Sequence, residues 1–230
     1  MSESEQKSPV FKKDALKDLT YDPDQDPIRE WRIPDRDPIQ GLLDNAVKRL
    51  NTDHNIIEAI LMNSRYTSFL ELGISTGYLC PRLRDNCANL ERIVGVDINT
   101  ELFRNATVMT AALSRNITYV NASTDEFFAN NNEQFDCIFI DAMHEYEQCS
   151  RDFENALNVL TPDGLIFLHD TYPPDIEDTV PGRSGDVYRT YLDLVKREDL
   201  EVLNIPLHLG LCIVRPIDPN NRILPLKGHV

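Results

Sequence analysis

The sequence predicts an α/β protein: a seven-stranded, mostly parallel sheet with an antiparallel hairpin at its C-terminal end and helices on both faces. Three observations predict it. Short apolar runs alternate with stretches of helical spacing through most of the chain, and each run ends in turn residues. Parallel neighbours need a crossover, which the intervening helices supply, so the alternation implies a parallel sheet covered on both sides. The last two apolar runs are only three residues apart, too close for a crossover, and therefore pair as a hairpin.

In chain order, Leu42, Leu43, Ala46, Val47 and Leu50, then Ile56, Ile57, Ile60 and Leu61, fall at helical spacing, which predicts two short helices broken near Asn51-Thr52-Asp53. Strands are expected from Ser68 to Leu72, Arg92 to Ile98, Ile117 to Asn121, Phe135 to Asp141 and Gly164 to His169, each followed by a helix. A loop rich in Pro, Gly and Asp, Thr171 to Gly185, leads into a helix from Asp186 to Arg197. The hairpin strands run from Glu201 to Ile205 and Leu209 to Val214. Residues 1–40 contain no glycine, five of the fourteen prolines and dense charge of both signs, so they form an arm without a core of its own, disordered before about Leu16. That arm holds the only tryptophan, Trp31, which suits a segment laid across the folded body. The domain itself is expected at 41–215, with a tail at 216–230.

Charge and cysteine usage narrow the function. With 23 basic and 38 acidic residues the net charge is −15, which repels phosphate backbones and anionic lipid and disfavours nucleic acid as a partner. No stretch approaches the ~18 apolar residues of a membrane span, and Met1-Ser2-Glu3-Ser4-Glu5 lacks the apolar core of a signal peptide. The five cysteines form no CxxC and are odd in number, so buried free thiols in a reducing, cytoplasmic setting are expected rather than a disulfide framework or zinc knuckle. The oligomeric state is not fixed by the sequence, and a homodimer stays open.

The first strand runs into Glu71-Leu72-Gly73-Ile74-Ser75-Thr76-Gly77, with a helix beyond. Glycines at a strand-to-helix turn let the backbone approach a ligand, and in such folds ligands bind beyond the carboxyl ends of the strands. The second strand ends in Asp97, 20 residues after Gly77, the spacing at which a carboxylate meets ribose hydroxyls. The loop does not read GxGxxG, and Glu71 disfavours a pyrophosphate while suiting a ligand with an ammonium and a sulfonium. Gly73-Ile74-Ser75-Thr76-Gly77 also matches GxSxG, the nucleophile elbow of serine hydrolases, although in that fold several strands precede the elbow. Ser123 with Glu126 reads as a capping box. Strand four closes with Asp141 and has His144 three residues on, and strand five closes with His169-Asp170. Adjacent strands lie ~4.8 Å apart, so these side chains converge on one rim, where carboxylates and imidazole could hold a divalent ion, magnesium favoured. His54, His208 and His229 have no partner pattern and read as structural.

Glu71-x-Gly73-x-x-x-Gly77 followed by an acid closing the next strand resembles the class I S-adenosylmethionine methyltransferases, whose fold is Rossmann-like. The resemblance implies S-adenosylmethionine as cofactor, held by Glu71, Gly73, Ser75, Gly77, Asp97, Ile98 against the adenine, Ser123 and Asp141. The run Phe135 to Asp152, with Pro162-Asp163-Gly164, His169-Asp170 and Gly185-Asp186-Val187-Tyr188, is similar to a subgroup of small-molecule O-methyltransferases that includes macrolide-sugar enzymes. That similarity implies a small-molecule hydroxyl acceptor, Mg2+ on Asp141, His169 and Asp170, and His144 as base beside Asp141. At 169 the metal-dependent relatives more often carry a carboxylate or amide. Two other classes stay open: a serine hydrolase using Ser75, and a non-catalytic protein that keeps the cofactor pocket and engages a protein partner through its arm.

Overall fold

Burial on both sides marks the centre of the sheet. Every residue of β1 (Ser68–Leu72) is buried, and nearly every residue of β4 (Phe135–Ile140) is too, as expected for strands covered by helices on either face. The computed structural model describes residues 52–75, 77–101, 116–207 and 209–217. The element order is α1 (Thr52–Met62), β1, α2 (Leu79–Asn86), β2 (Arg92–Asp97), β3 (Ile117–Asn121), α3 (Thr124–Asn130), β4, α4 (Tyr146–Val159) and β5 (Leu160–His169). A short 3-10 turn (Ile176–Thr179), α5 (Tyr188–Leu194), β6 (Leu200–Ile205) and β7 (Leu211–Pro216) follow. The seven strands form one sheet in the order β3-β2-β1-β4-β5-β7-β6, parallel from β3 to β5, with β7 antiparallel to both β5 and β6. The predicted fold class is the one observed.

Strand alternation sorts the core into two layers. Leu70, Leu72, Val94, Val96, Ile138 and Ile140 face α4 and α5, where Phe153, Ala156 and Leu194 meet them. Phe69, Ile93, Cys137, Phe139 and Phe167 face the other way, against Ile57 and Leu61 of α1 and Leu79, Cys80 and Leu83 of α2.

Several boundaries differ from the sequence reading. β5 begins at Leu160 rather than Gly164, running through the expected Pro162-Asp163-Gly164 turn, and a register shift between Phe135 and Cys137 absorbs the extra residues. β2 and β4 stop one residue early, at Asp97 and Ile140, and β7 begins at Leu211 rather than Leu209 because Leu207 to Gly210 close a turn. The helix expected from Asp186 to Arg197 is confined to Tyr188–Leu194, since Asp186 instead serves α4. The arm 1–40, Trp31, the helix expected around Leu42 to Leu50, most of the tail, Thr76, His208, His229 and residues 102–115 lie outside the described residues.

Registers bring the strand ends to one level: Leu72 pairs with Val96 on one side and Ile140 on the other. Gly73 N then donates to Val96 O at 2.9 Å, and Asp141 N donates to Leu72 O at 2.9 Å. Gly73 has φ +86°, and a Cβ there would lie 2.0 Å from the Asp141 carbonyl oxygen. A side chain at 73 therefore meets both backbone strain and a backbone atom that has nowhere to move. Gly73→Ala is expected to destabilise the fold by about 2–5 kcal/mol, from left-handed strain of ~1–2 plus overpacking of ~1–3. Urea denaturation measures this, and an unchanged midpoint would refute the tight contact.

Candidate active site

The glycine loop turns on three left-handed residues, Gly73, Ser75 (φ 49°) and Gly77 (φ 72°). Asp97, at the end of β2, gathers it: Oδ2 accepts from the backbone N–H of Ile74 at 2.9 Å and of Ser75 at 3.3 Å, while Oδ1 accepts from Asn99 N at 2.8 Å. The acid at the ribose spacing thus also fixes the shape of the loop beside it. Ile98 follows with 69% of its surface exposed, free to lie against a ring. Ser123 N-caps α3 in a complete capping box, its Oγ accepting from Glu126 N and its own N–H donating to Glu126 Oε2.

Glu71 shares the face of Phe69 and is buried beneath α2, where the Cys80 thiol donates to its Oε2 at 2.7 Å. Burial pushes its pKa up to about 8, against the lowering effect of the Cys80 contact. In the protein alone Glu71 is thus a largely protonated acid at neutral pH, rather than the standing negative charge the loop's pattern suggested.

On the far side of Gly73 lies the second cluster. Asp141 Oδ1 is 3.4 Å from His144 Nε2 and 3.3 Å from His169 Nδ1. Asp170 is 1% exposed, and its φ of +61° swings the carboxylate back toward the cluster, with Oδ2 3.2 Å from His144 Nδ1 and Oδ1 3.1 Å from His169 Nδ1. Neither oxygen of Asp170 accepts a well-formed hydrogen bond. Burial would raise the Asp141 pKa, but its contacts with the two imidazoles outweigh this and hold it at about 2. The Asp141 contact raises His144 to about 9 despite burial, helped by the Arg183 carbonyl and Asp170. Burial alone would lower His169; its carboxylate neighbours reverse that and raise it.

Asp141, His144 and Asp170 each offer one atom within 4.8 Å of the others, a set that could hold a metal ion. Oxygen and imidazole donors, with two buried carboxylate oxygens lacking hydrogen bonds, fit a hard divalent cation. His169, in the set the sequence suggested, presents Nδ1 to the same two carboxylates.

Three residues escaped the sequence reading. Asp53, in the first turn of α1, is buried with Oδ2 2.8 Å from His169 Nε2. His54 stacks on Tyr78 at 6.2 Å and meets Phe139 edge-on, so it lines the site rather than standing apart. Arg183 accepts, through its backbone carbonyl, a hydrogen bond from His144 Nδ1. The signal for Asp53 is its position four residues before Ile57 and eight before Leu61, an acid in the buried stripe of a helix.

Residues 70–171 match a family described as a methyltransferase domain. The match starts in β1 and ends just past His169-Asp170, spanning both clusters. Solved structures share the fold at low identity. The O-methyltransferase of Bacillus cereus, in complex with SAH, is 17% identical with a TM-score of 0.58 over 83% of this chain and 95% of that one. The SAH-bound methyltransferase PaMTH1 of Podospora anserina is 17% identical, with a TM-score of 0.57 over 93% and 99%. The O-methyltransferase TomG of Streptomyces achromogenes, in complex with SAM, is 18% identical with a TM-score of 0.54 over 91% and 92%. No curated protein matches the sequence. Residues 70–171 thus match a methyltransferase domain, and the sheet order is one the chain shares with solved methyltransferases, in line with the resemblance its glycine loop suggested. The Ser75 hydrolase reading finds no support in the fold or in the domain match, and the left-handed φ of Ser75 is one of three in the glycine loop.

Glu71 gives this part of the site a pH signature. Its folded-state pKa of about 8 exceeds the ordinary 4.5, so the folded protein holds an extra proton between those values and loses stability as pH rises through that window. Glu71→Gln removes the penalty, and thermal melts should favour the variant more at pH 8.5 than at pH 5. An equal offset at both pH values would rule this out.

Proposed function

We propose that the protein transfers the methyl group of S-adenosylmethionine to a hydroxyl of a small molecule, with His144 as base and a divalent ion, Mg2+, at Asp141, Asp170 and His169. The observation that carries this reading is the convergence of Asp141, His144 and Asp170 within 4.8 Å, directly against Gly73 of the cofactor loop. The relatives named O-methyltransferases that hold SAH or SAM support the cofactor and the acceptor atom. The reading takes the cofactor on Gly73, Ser75, Gly77 and Asp97, with Ile98 against the adenine, Ser123 at its edge, and Glu71 and Asp141 facing its amino-acid portion. The five described cysteines are buried free thiols, and no described helix is long and apolar enough to cross a membrane, in keeping with a cytoplasmic enzyme.

Methyl transfer needs the acceptor oxygen in line with the sulfonium carbon and a group to take its proton, and positioning supplies much of the acceleration. His144 Nδ1–H donates to the Arg183 carbonyl, which fixes the tautomer and leaves Nε2 as the basic atom. In the protein alone the neighbouring carboxylates keep that ring protonated. A bound divalent ion would offset their charge and lower the pKa of the acceptor hydroxyl. One imidazole cannot both ligate the ion and accept the proton. His169, with Nδ1 toward Asp141 and Asp170, is therefore assigned to the ion, leaving His144 for the proton.

His144→Ala is expected to lower kcat by roughly 10²–10⁴ with little change in SAH affinity. A panel of hydroxylated acceptors scored for S-adenosylhomocysteine production measures the rate, and calorimetry the affinity. Absence of SAM and SAH binding by the wild type would overturn the reading. Asp170→Ala is expected to cut turnover severely, and exhaustive EDTA treatment to do the same with recovery on adding Mg2+. Full activity after EDTA would remove the ion and leave His144 as the base of a metal-free enzyme.

A further inference from the structure

Asp53 is the carboxylate that α1 brings to the acid cluster. It lies in the first turn of α1, where an acid usually faces solvent and complements the helix dipole. Here it is 6% exposed and lies on the same buried line as Ile57 and Leu61, four residues apart at each step. Its Oδ2 is 2.8 Å from His169 Nε2, a contact made across 116 residues of sequence. Phe139 meets the His169 ring edge-on at 6.3 Å, so the ring is held by an aromatic neighbour and by hydrogen bonding at once. The other ring nitrogen, Nδ1, points to Asp141 and Asp170.

We propose that Asp53 is a positioning residue of this centre: its carboxylate takes the Nε2–H of His169 and so presents Nδ1 to Asp141 and Asp170. An imidazole that serves a cation, or that orients a carboxylate, needs its second nitrogen occupied by an acceptor, or the ring can flip and lose its tautomer. Strand alternation explains why α1 supplies that acceptor. Phe167 and His169 share one face of β5, and that face packs against α1. The inference rests on the reading of this cluster as the catalytic centre, and it makes α1 part of the site.

The test combines histidine-ring 1H–15N NMR, recorded with and without SAH, with steady-state kinetics on the full chain. In the wild type His169 should appear with a slowly exchanging Nε2–H. Asp53→Ala should abolish that signal and lower kcat about 10- to 100-fold, the usual loss on removing an acceptor behind a functional histidine, while leaving the KM for SAM nearly unchanged. Asp53→Asn, which keeps an accepting oxygen, should retain the signal and more than half of kcat. The Asp53→Ala, His169→Gln pair should lose no more rate than His169→Gln alone. A structural staple between α1 and β5 would instead lower the melting temperature of Asp53→Ala and leave kcat and the His169 signal as in the wild type, and that result would overturn the proposal. If the wild type methylates nothing, the function reading fails, while the NMR of Asp53→Ala still decides whether Asp53 holds His169.

Discussion

Residue 73 has no space for a side chain because the carbonyl of Asp141 stands where its Cβ would be. The contact follows from parallel strands that end at the same height: Leu72, Val96 and Ile140 are in register, and the backbone bonds Gly73 N to Val96 O and Asp141 N to Leu72 O continue the ladder one step past them. The glycine loop and the acid cluster are consequently one backbone construction. The loop cannot shift without moving Asp141, and Asp97 holds it from the other side through Ile74 and Ser75.

Charge is the second constraint. Asp53, Asp141 and Asp170 surround two imidazoles, so even with both rings protonated one formal negative charge is left in a largely buried space. Burying carboxylates is unfavourable unless hydrogen bonds or counter-charges offset it, and Asp170 has neither oxygen in a well-formed hydrogen bond. That imbalance is the electrostatic side of the proposed function, in which positive charge, a sulfonium and a divalent ion, is bound at this rim. Glu71 manages the same difficulty differently. It remains protonated with Cys80 as its partner, so the first strand does not add a further standing charge to the rim.

Strand and helix alternation, hairpin and glycine loop were legible in the sequence because apolar runs, turn residues and the Glu71-to-Gly77 spacing are local patterns, whereas the strand order β3-β2-β1-β4-β5-β7-β6 was not. Asp141, His144, His169 and Asp170 were legible for the same reason, since each closes or follows a strand. What the sequence did not disclose arises from long-range geometry. Asp53 looks like a helix-start acid until α1 is packed against β5, and Asp97 looks like a pure ligand contact until the loop folds back onto it. The start of β5 at Leu160 was hidden by Pro162 and Gly164, which read as a turn and are carried instead by a bulge against β4. His54 seemed unpartnered because its neighbours Tyr78 and Phe139 come from other elements.

The loop from Thr171 to Gly185 is pinned at both ends by glycines pressed against backbone. A Cβ on Gly210 would lie 2.3 Å from Tyr172 N, and one on Gly185, at φ +58°, would lie 1.7 Å from the His144 carbonyl oxygen. Just beyond, Asp186 Oδ1 accepts from Tyr146 N at 2.6 Å and so caps α4, whose own N-cap residue Glu145 provides no side-chain cap. Between those anchors the loop closes largely on itself, through Arg183 with Asp178 and through Ser184 N to Asp178 O. Such an arrangement behaves as a cassette. Its interior can change in length and chemistry only so far as the Arg183 carbonyl stays on His144, so divergence of the loop is tied to that one contact.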